Sequence, residues 1–161
     1  MLGQKVLLNQ MPIAIKDSKI DISSEETTKE LAKDLTHYLK GGEIVYLYGE
    51  MGVGKTTFVR HLVNQFQKNK KLHITEVTSP TFNLLNEYDI NDLVIKHYDL
   101  FRLKNKLEIH NLDLFEDDKN IITLIERPQL IDKEQSIKTI NLTFSYENDL
   151  QNRSVKIEGL N

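Results

Sequence analysis

The spacing of apolar residues changes several times along this chain, and each change marks an element. Ile13, Ile15, Ile20 and Ile22 alternate loosely, which predicts extended chain over residues 12–22. Leu31, Leu35 and Leu39 then recur at every fourth position, the stripe of an amphipathic helix. Ser23 with Glu26 three residues on fits a capping box at its start, Ser24 with Thr27 does not, and Gly41-Gly42 is expected to end it. Ile44-Val45-Tyr46-Leu47-Tyr48 is apolar, β-branched and aromatic without alternation, as a strand buried on both faces reads. A second helix is predicted from residue 55 to about 69, with Phe58, Leu62 and Phe66 on one stripe. Further strands are predicted at 82–88, 94–98 and 121–125, and a closing pair at 137–145 and 153–158 around a polar turn.

Strand, loop and helix in succession, with buried central strands, predict an α/β fold: a central, mostly parallel sheet flanked by helices, ending in an antiparallel strand pair. There is no repeat, no low-complexity tract and, with three prolines and seven glycines, no linker, so one domain is expected over 1–161. A 39% apolar content is enough for one core, and a net charge of -3 argues against an extended electrostatic footprint for nucleic acid. The absence of cysteine removes disulfides, thiolate zinc sites and cysteine nucleophiles, and suits a reducing compartment. No apolar run approaches the roughly 20 residues that cross a bilayer. The opening Met-Leu-Gly-Gln-Lys carries no signal-peptide pattern, and Leu2 stands where myristoylation requires glycine. A cytoplasmic protein without membrane attachment is expected.

Chemistry concentrates after the buried strand. Gly49-Glu50-Met51-Gly52-Val53-Gly54-Lys55-Thr56, followed by Thr57, matches G-x-x-x-x-G-K-[ST] in full. Glycines permit positive φ and close backbone approach, so that successive N–H groups form an anion-binding nest. The helix that follows adds its positive dipole end. Lys55 is expected to reach the β- and γ-phosphates, and the Thr56 hydroxyl to hold Mg²⁺. The bland reading is a glycine-rich turn without a ligand. A strand before the motif and an amphipathic helix after it favour a P-loop NTPase sandwich instead.

Hydrolysis needs a carboxylate near the metal and a group that positions water. In open α/β sheets, ligands gather beyond the carboxyl ends of the strands, where Asp99 and Glu126 follow the runs 94–98 and 121–125. Asp99 suits a metal-binding role, and Glu126 is open to either metal binding or water positioning. An acid after a strand is otherwise an ordinary loop residue or cap. His97 has no second histidine at ligand spacing and reads as a solvated or hydrogen-bonded structural residue. Arg102 is balanced between a phosphate or partner contact and a surface salt bridge. Arg60 and the run Lys68–Lys71 read as exposed helix surface.

Ser79-Pro80-Thr81-Phe82, His97-Tyr98-Asp99-Leu100-Phe101-Arg102-Leu103 and Leu124-Ile125-Glu126 follow the glycine motif in that order. Together they make the chain resemble the bacterial TsaE (YjeE) family of ATPases, over roughly residues 20–158. The family takes part in making threonylcarbamoyladenosine beside the anticodon of tRNAs. The resemblance implies ATP with Mg²⁺ as ligands, and a switch-like loop at Ser79–Phe82 in which Thr81 senses the γ-phosphate or the metal. It implies Asp99 and Glu126 as the acidic pair, and the helix bearing Ser23–Thr27 near the adenine. It also implies a TsaB–TsaD heterodimer as partner, reset between rounds by ATP hydrolysis, with tRNA met only through that complex. One departure stands out: the family usually has Trp after the glutamate, and here Arg127 takes its place. Arginine also covers a flat surface by stacking. No arginine finger is evident, so slow turnover without the partner is expected.

Other readings share the glycine motif. A small-molecule or nucleoside kinase needs arginines on a lid, and the four here, Arg60, Arg102, Arg127 and Arg153, form no cluster in the sequence. A GTPase switch would need Gly two residues after an acid, and Asn105-Lys106-Leu107-Glu108 only imitates its base-reading motif. A nucleotide-gated binding module without meaningful hydrolysis stays open.

Overall fold

The computed structural model describes residues 18–80, 82–115, 118–132 and 138–160. Seven strands form one sheet: β1 (Lys19–Asp21), β2 (Ile44–Tyr48), β3 (Leu85–Ile90), β4 (Leu93–Asp99), β5 (Ile121–Glu126), β6 (Thr139–Tyr146) and β7 (Arg153–Glu158). Their spatial order is β1-β7-β6-β2-β5-β4-β3. The four central strands, β6, β2, β5 and β4, run parallel. The three remaining pairings, β1 with β7, β7 with β6 and β3 with β4, are antiparallel. The sheet is therefore evenly mixed rather than mostly parallel, because both ends are finished by strand pairs.

Two long helices, α1 (Glu25–Leu35) and α2 (Lys55–Asn69), pack on one face. Leu31, Ala32 and Leu35 from α1 and Phe58, Leu62 and Phe66 from α2 meet Val45, Leu47, Ile122 and Leu124 of the strands. The opposite face carries a smaller cluster of Ile44, Tyr46, Tyr98 and Ile125. Its cover is a short helix, α3 (Lys106–His110), a 3-10 turn (Pro128–Leu130) and irregular chain. Alternate residues of β2 and β5 thus serve opposite cores, which is why these strands read as unbroken apolar runs.

Several boundaries differ from expectation, each for a local reason. Ser24 caps α1, its Oγ accepting from the Glu26 N–H at 3.2 Å, because the Ser23 hydroxyl instead accepts the Arg153 N–H at 2.9 Å. The helix stops at Leu35, well before the glycines. The buried Glu43 carboxylate collects the N–H groups of Lys40 at 3.1 Å and Gly41 at 2.8 Å, holding the chain in a turn. Strand β3 starts at Leu85 because its register comes from the two-residue turn Asn91-Asp92, where Asn91 sits at φ 59°. Asn105 is the N-cap of α3, accepting from the Glu108 N–H at 3.0 Å, which explains the imitation of a base-reading motif. The predicted extended stretch at 12–17 and residue 137 lie outside the described residues.

Candidate functional site

The loop between β2 and α2 is shaped by three glycines at positive φ: Gly49 (143°), Gly52 (83°) and Gly54 (122°). At Gly49 a Cβ would lie 2.8 Å from the Phe144 carbonyl oxygen, so β6 leaves room for no other residue. Val53 turns inward and is fully buried, and its N–H donates to the Glu50 carbonyl at 3.3 Å. Glycine as N-cap leaves α2 without a side-chain cap, and its first turn holds no acid. The first-turn N–H groups and their partial positive charge therefore have no anionic side chain of the helix to neutralise them.

A cleft of about 370 Å³ opens above this loop. Met51, Gly52, Gly54, Lys55, Thr56 and Thr57 line it, whereas Gly49, Glu50 and Val53 build the loop from behind. Lys55 is buried, and its Nζ donates to the Gly49 carbonyl. Burial pulls the Lys55 ammonium below its usual range, with nearby Arg127 pushing the same way and Glu126 and Asp99 opposing.

Asp99 and Glu126 face the loop from the carboxyl ends of β4 and β5, where they are register partners, and Leu47 of β2 is the next residue across. Both carboxylates are buried. Asp99 Oδ2 accepts from Ser79 Oγ at 3.2 Å and Oδ1 from the Phe101 N–H at 3.0 Å. Glu126 Oε2 lies 2.8 Å from Nε2 of the fully buried His97. Facing a carboxylate, Nε2 is the donor of this pair. His97 is thus the hydrogen-bonded structural residue of its two expected forms, not the solvated one. His97 Nδ1 is buried without a hydrogen-bond partner among the described residues. Thr81 lies outside the described residues.

Three of the chain's four arginines also line the cleft, correcting the expectation of no cluster. Arg127 sits 4.4 Å above the Phe101 ring, and its Nε is 3.5 Å from Asp99 Oδ1. Arg102 stacks 4.9 Å above Phe82. Arg153 reaches in from β7, with its Nη1 at 3.6 Å from the position a Gly54 Cβ would take. Its Nη2 donates to the Ser23 carbonyl at 3.4 Å, joining the cleft to a groove lined by Ser23 and Asp21. Only Arg60 stays apart, paired with Glu25 at 2.9 Å. The sequence hides Arg153 because its approach depends on β7 folding back beside β6, far from the glycine motif in the chain.

Among the described residues no three acidic, cysteine or histidine side chains cluster as a metal cage. Mg²⁺ does not require one: one or two carboxylates, a hydroxyl and phosphate oxygens suffice. Asp99, Glu126 and Thr56, all hard oxygen donors lining one cleft, fit that pattern. No helix among the described residues is long and apolar enough to cross a membrane.

Comparison with known proteins gives a consistent result. The model of the family described as "Threonylcarbamoyl adenosine biosynthesis protein TsaE" matches residues 22–155. A Rickettsia conorii protein named "tRNA threonylcarbamoyladenosine biosynthesis protein TsaE" is 43% identical over 110 residues, 68% of this chain and 61% of that protein. This chain thus matches about three fifths of that relative's length. A Bacillus subtilis protein of the same name is 31% identical over 121 residues, 74% of this chain and 72% of its own. In three dimensions the chain is similar to the crystal structure of Bacillus subtilis YdiB, with a TM-score of 0.65, 22% identity, and coverage of 89% of this chain and 86% of the other.

Proposed function

The chain belongs to the TsaE family, and from that premise we propose that it binds ATP with Mg²⁺ in the cleft, hydrolyses it slowly, and serves tRNA threonylcarbamoyladenosine formation together with a TsaB–TsaD complex. One observation carries the reading. A strand-loop-helix unit with three positive-φ glycines sets Lys55 across a cleft from two register-paired carboxylates. Such a P-loop arrangement suits the polyphosphate of a nucleotide. The groove beyond Arg153, which Ser23 also lines, suits the nucleoside end.

The chemical roles follow from what each group has left to offer. Lys55 and the first N–H groups of α2 face the phosphates and offset charge that grows on their oxygens. Thr56 and Asp99 would hold Mg²⁺, which when bound adds further compensation for that charge. His97 occupies one oxygen of Glu126 and fixes the carboxylate, leaving the other oxygen to accept a hydrogen bond from water. That water's oxygen bonds to the γ-phosphorus as the bond to the β,γ-bridging oxygen breaks. ADP keeps the electron pair, and inorganic phosphate and one proton are the other products. Kinase chemistry would need the water excluded and an acceptor seated, and family membership favours hydrolysis over it.

Calorimetric titration with ATP and Mg²⁺ tests the binding step; absence of heat at millimolar nucleotide would end the proposal. Pull-down with cognate TsaB and TsaD, in ATP and in ADP, tests the partnership. Equal hydrolysis rates with and without that pair would remove the claim that the partner stimulates turnover.

A further inference from the structure

Arg127 is a cation at a turn built to aim it. Its backbone is left-handed, at φ 58° and ψ 58°, a region that non-glycine residues seldom enter. The Arg127 N–H donates to the Leu47 carbonyl at 3.2 Å, tying this turn to the strand that feeds the glycine loop, and Pro128 begins the 3-10 turn behind it. The Phe101 ring, 57% exposed, supports the flat face of the guanidinium at 4.4 Å. Asp99 attracts the group without saturating it. Its oxygens already accept from Ser79 and Phe101, and the 3.5 Å approach of Arg127 Nε is longer than a hydrogen bond. Nε is buried and has no hydrogen-bond partner among the described residues.

The charges of the cleft point the same way. Lys55, Arg102, Arg127 and Arg153 stand against Asp99 and Glu126, an excess of positive charge that suits a polyanion. Arg127 and Lys55 line the same cleft, so the two cations share one space. An arginine fork answers phosphate geometry with two parallel donors where a lysine offers a point charge.

We propose that Arg127 contacts the terminal phosphate of the bound nucleoside triphosphate, as an arginine finger supplied from within the chain and supported by Phe101. The proposal rests on the nucleotide reading above and adds a residue to it. Titration calorimetry on the whole chain with Mg²⁺ and ADP, ATP or ADP plus aluminium fluoride tests it, using the wild type, Arg127→Gln and Phe101→Leu. For Arg127→Gln, affinity for ATP and for the fluoride complex should fall roughly 10- to 100-fold, while ADP affinity stays within about threefold. Phe101→Leu, at an exposed ring that the fold does not need, should show the same selectivity at several-fold size. ADP and ATP weakening by one common factor would assign Arg127 a structural role and overturn the proposal, as would unchanged affinities throughout. A wild type that binds ADP and ATP equally also overturns it, with nucleotide binding intact. A wild type that binds neither defeats the nucleotide reading itself.

Discussion

The two faces of the sheet are built on different terms. One is closed by α1 and α2, whose apolar stripes interlock with the strands in the larger core. The other is closed by the five-residue α3, a 3-10 turn and loops over a smaller cluster. Amphipathic helices gain stability by packing their apolar faces on the sheet, whereas loops over a small core are free to present side chains. Asp99, Phe101, Arg102, Glu126 and Arg127 all lie where β4 and β5 run out into those loops. Lys55, Thr56 and Thr57 come from α2, on the helical side. The cleft is the seam where the stable face supplies the glycine loop and Lys55, and the irregular face supplies the two acids with Arg102 and Arg127.

The largest effect should come from opening the helical core. Phe58 is fully buried, with its ring 5.9 Å from that of Phe144, and Phe58→Ala should lower unfolding free energy by about 3–5 kcal/mol. Leu114→Ala in the smaller cluster should fall at the low end of the leucine range, about 2 kcal/mol, because loops can settle into the space. Urea denaturation measures both, and equal losses would erase the distinction between the faces.

Next comes Lys55→Ala, which should weaken ATP binding about 100-fold or more by removing the buried cation from the cradle. Stability should hold or rise, since burial already disfavours the ammonium. A variant that loses binding only because it unfolds would show that the seam does not separate the two tasks. Smaller again is Asp99→Asn, which should raise the Mg²⁺ concentration needed for half-maximal ATP binding roughly tenfold while leaving metal-free nucleotide binding near wild type. Overlaying Mg²⁺ titrations would remove Asp99 from the metal's ligands.

How much of this was legible in the sequence follows the same division. Local signals identified β2, the glycine loop and α2, because strand, turn and helix are contiguous and each obeys its own period. They also located Asp99 and Glu126 at strand ends, and the sheet then brings the two into register. The partners of those acids were not legible. His97 meets Glu126 only because β4 and β5 lie side by side, and Arg153 reaches the loop only because β7 turns back along β6. Ser23 carried a genuine capping signal that failed because a distant amide claimed its hydroxyl. Long-range pairing decides these contacts, and a single sequence does not encode which strand becomes whose neighbour in any local pattern.

The smallest expected effect is a proton count, and it tests the seam most directly. Lys55 in the folded chain holds its proton less tightly than the ordinary value of 10.5, first through burial and then through Arg127. Between that lowered value and 10.5 the unfolded chain carries more protons at this residue, so this group makes stability rise with pH across the window and contributes no such slope below it. A polyphosphate brought against Lys55 acts oppositely, favouring the ammonium and raising its pKa again. ATP binding should therefore add proton uptake at Lys55 as pH climbs into that window. Calorimetry in two buffers of different ionisation heat measures the uptake. Lys55→Arg, which stays charged throughout, should abolish it while keeping a cation in the cradle. Uptake that persists in Lys55→Arg would place the titrating group elsewhere. Uptake absent from the wild type would mean the phosphates do not rest on the helical side of the cleft at all.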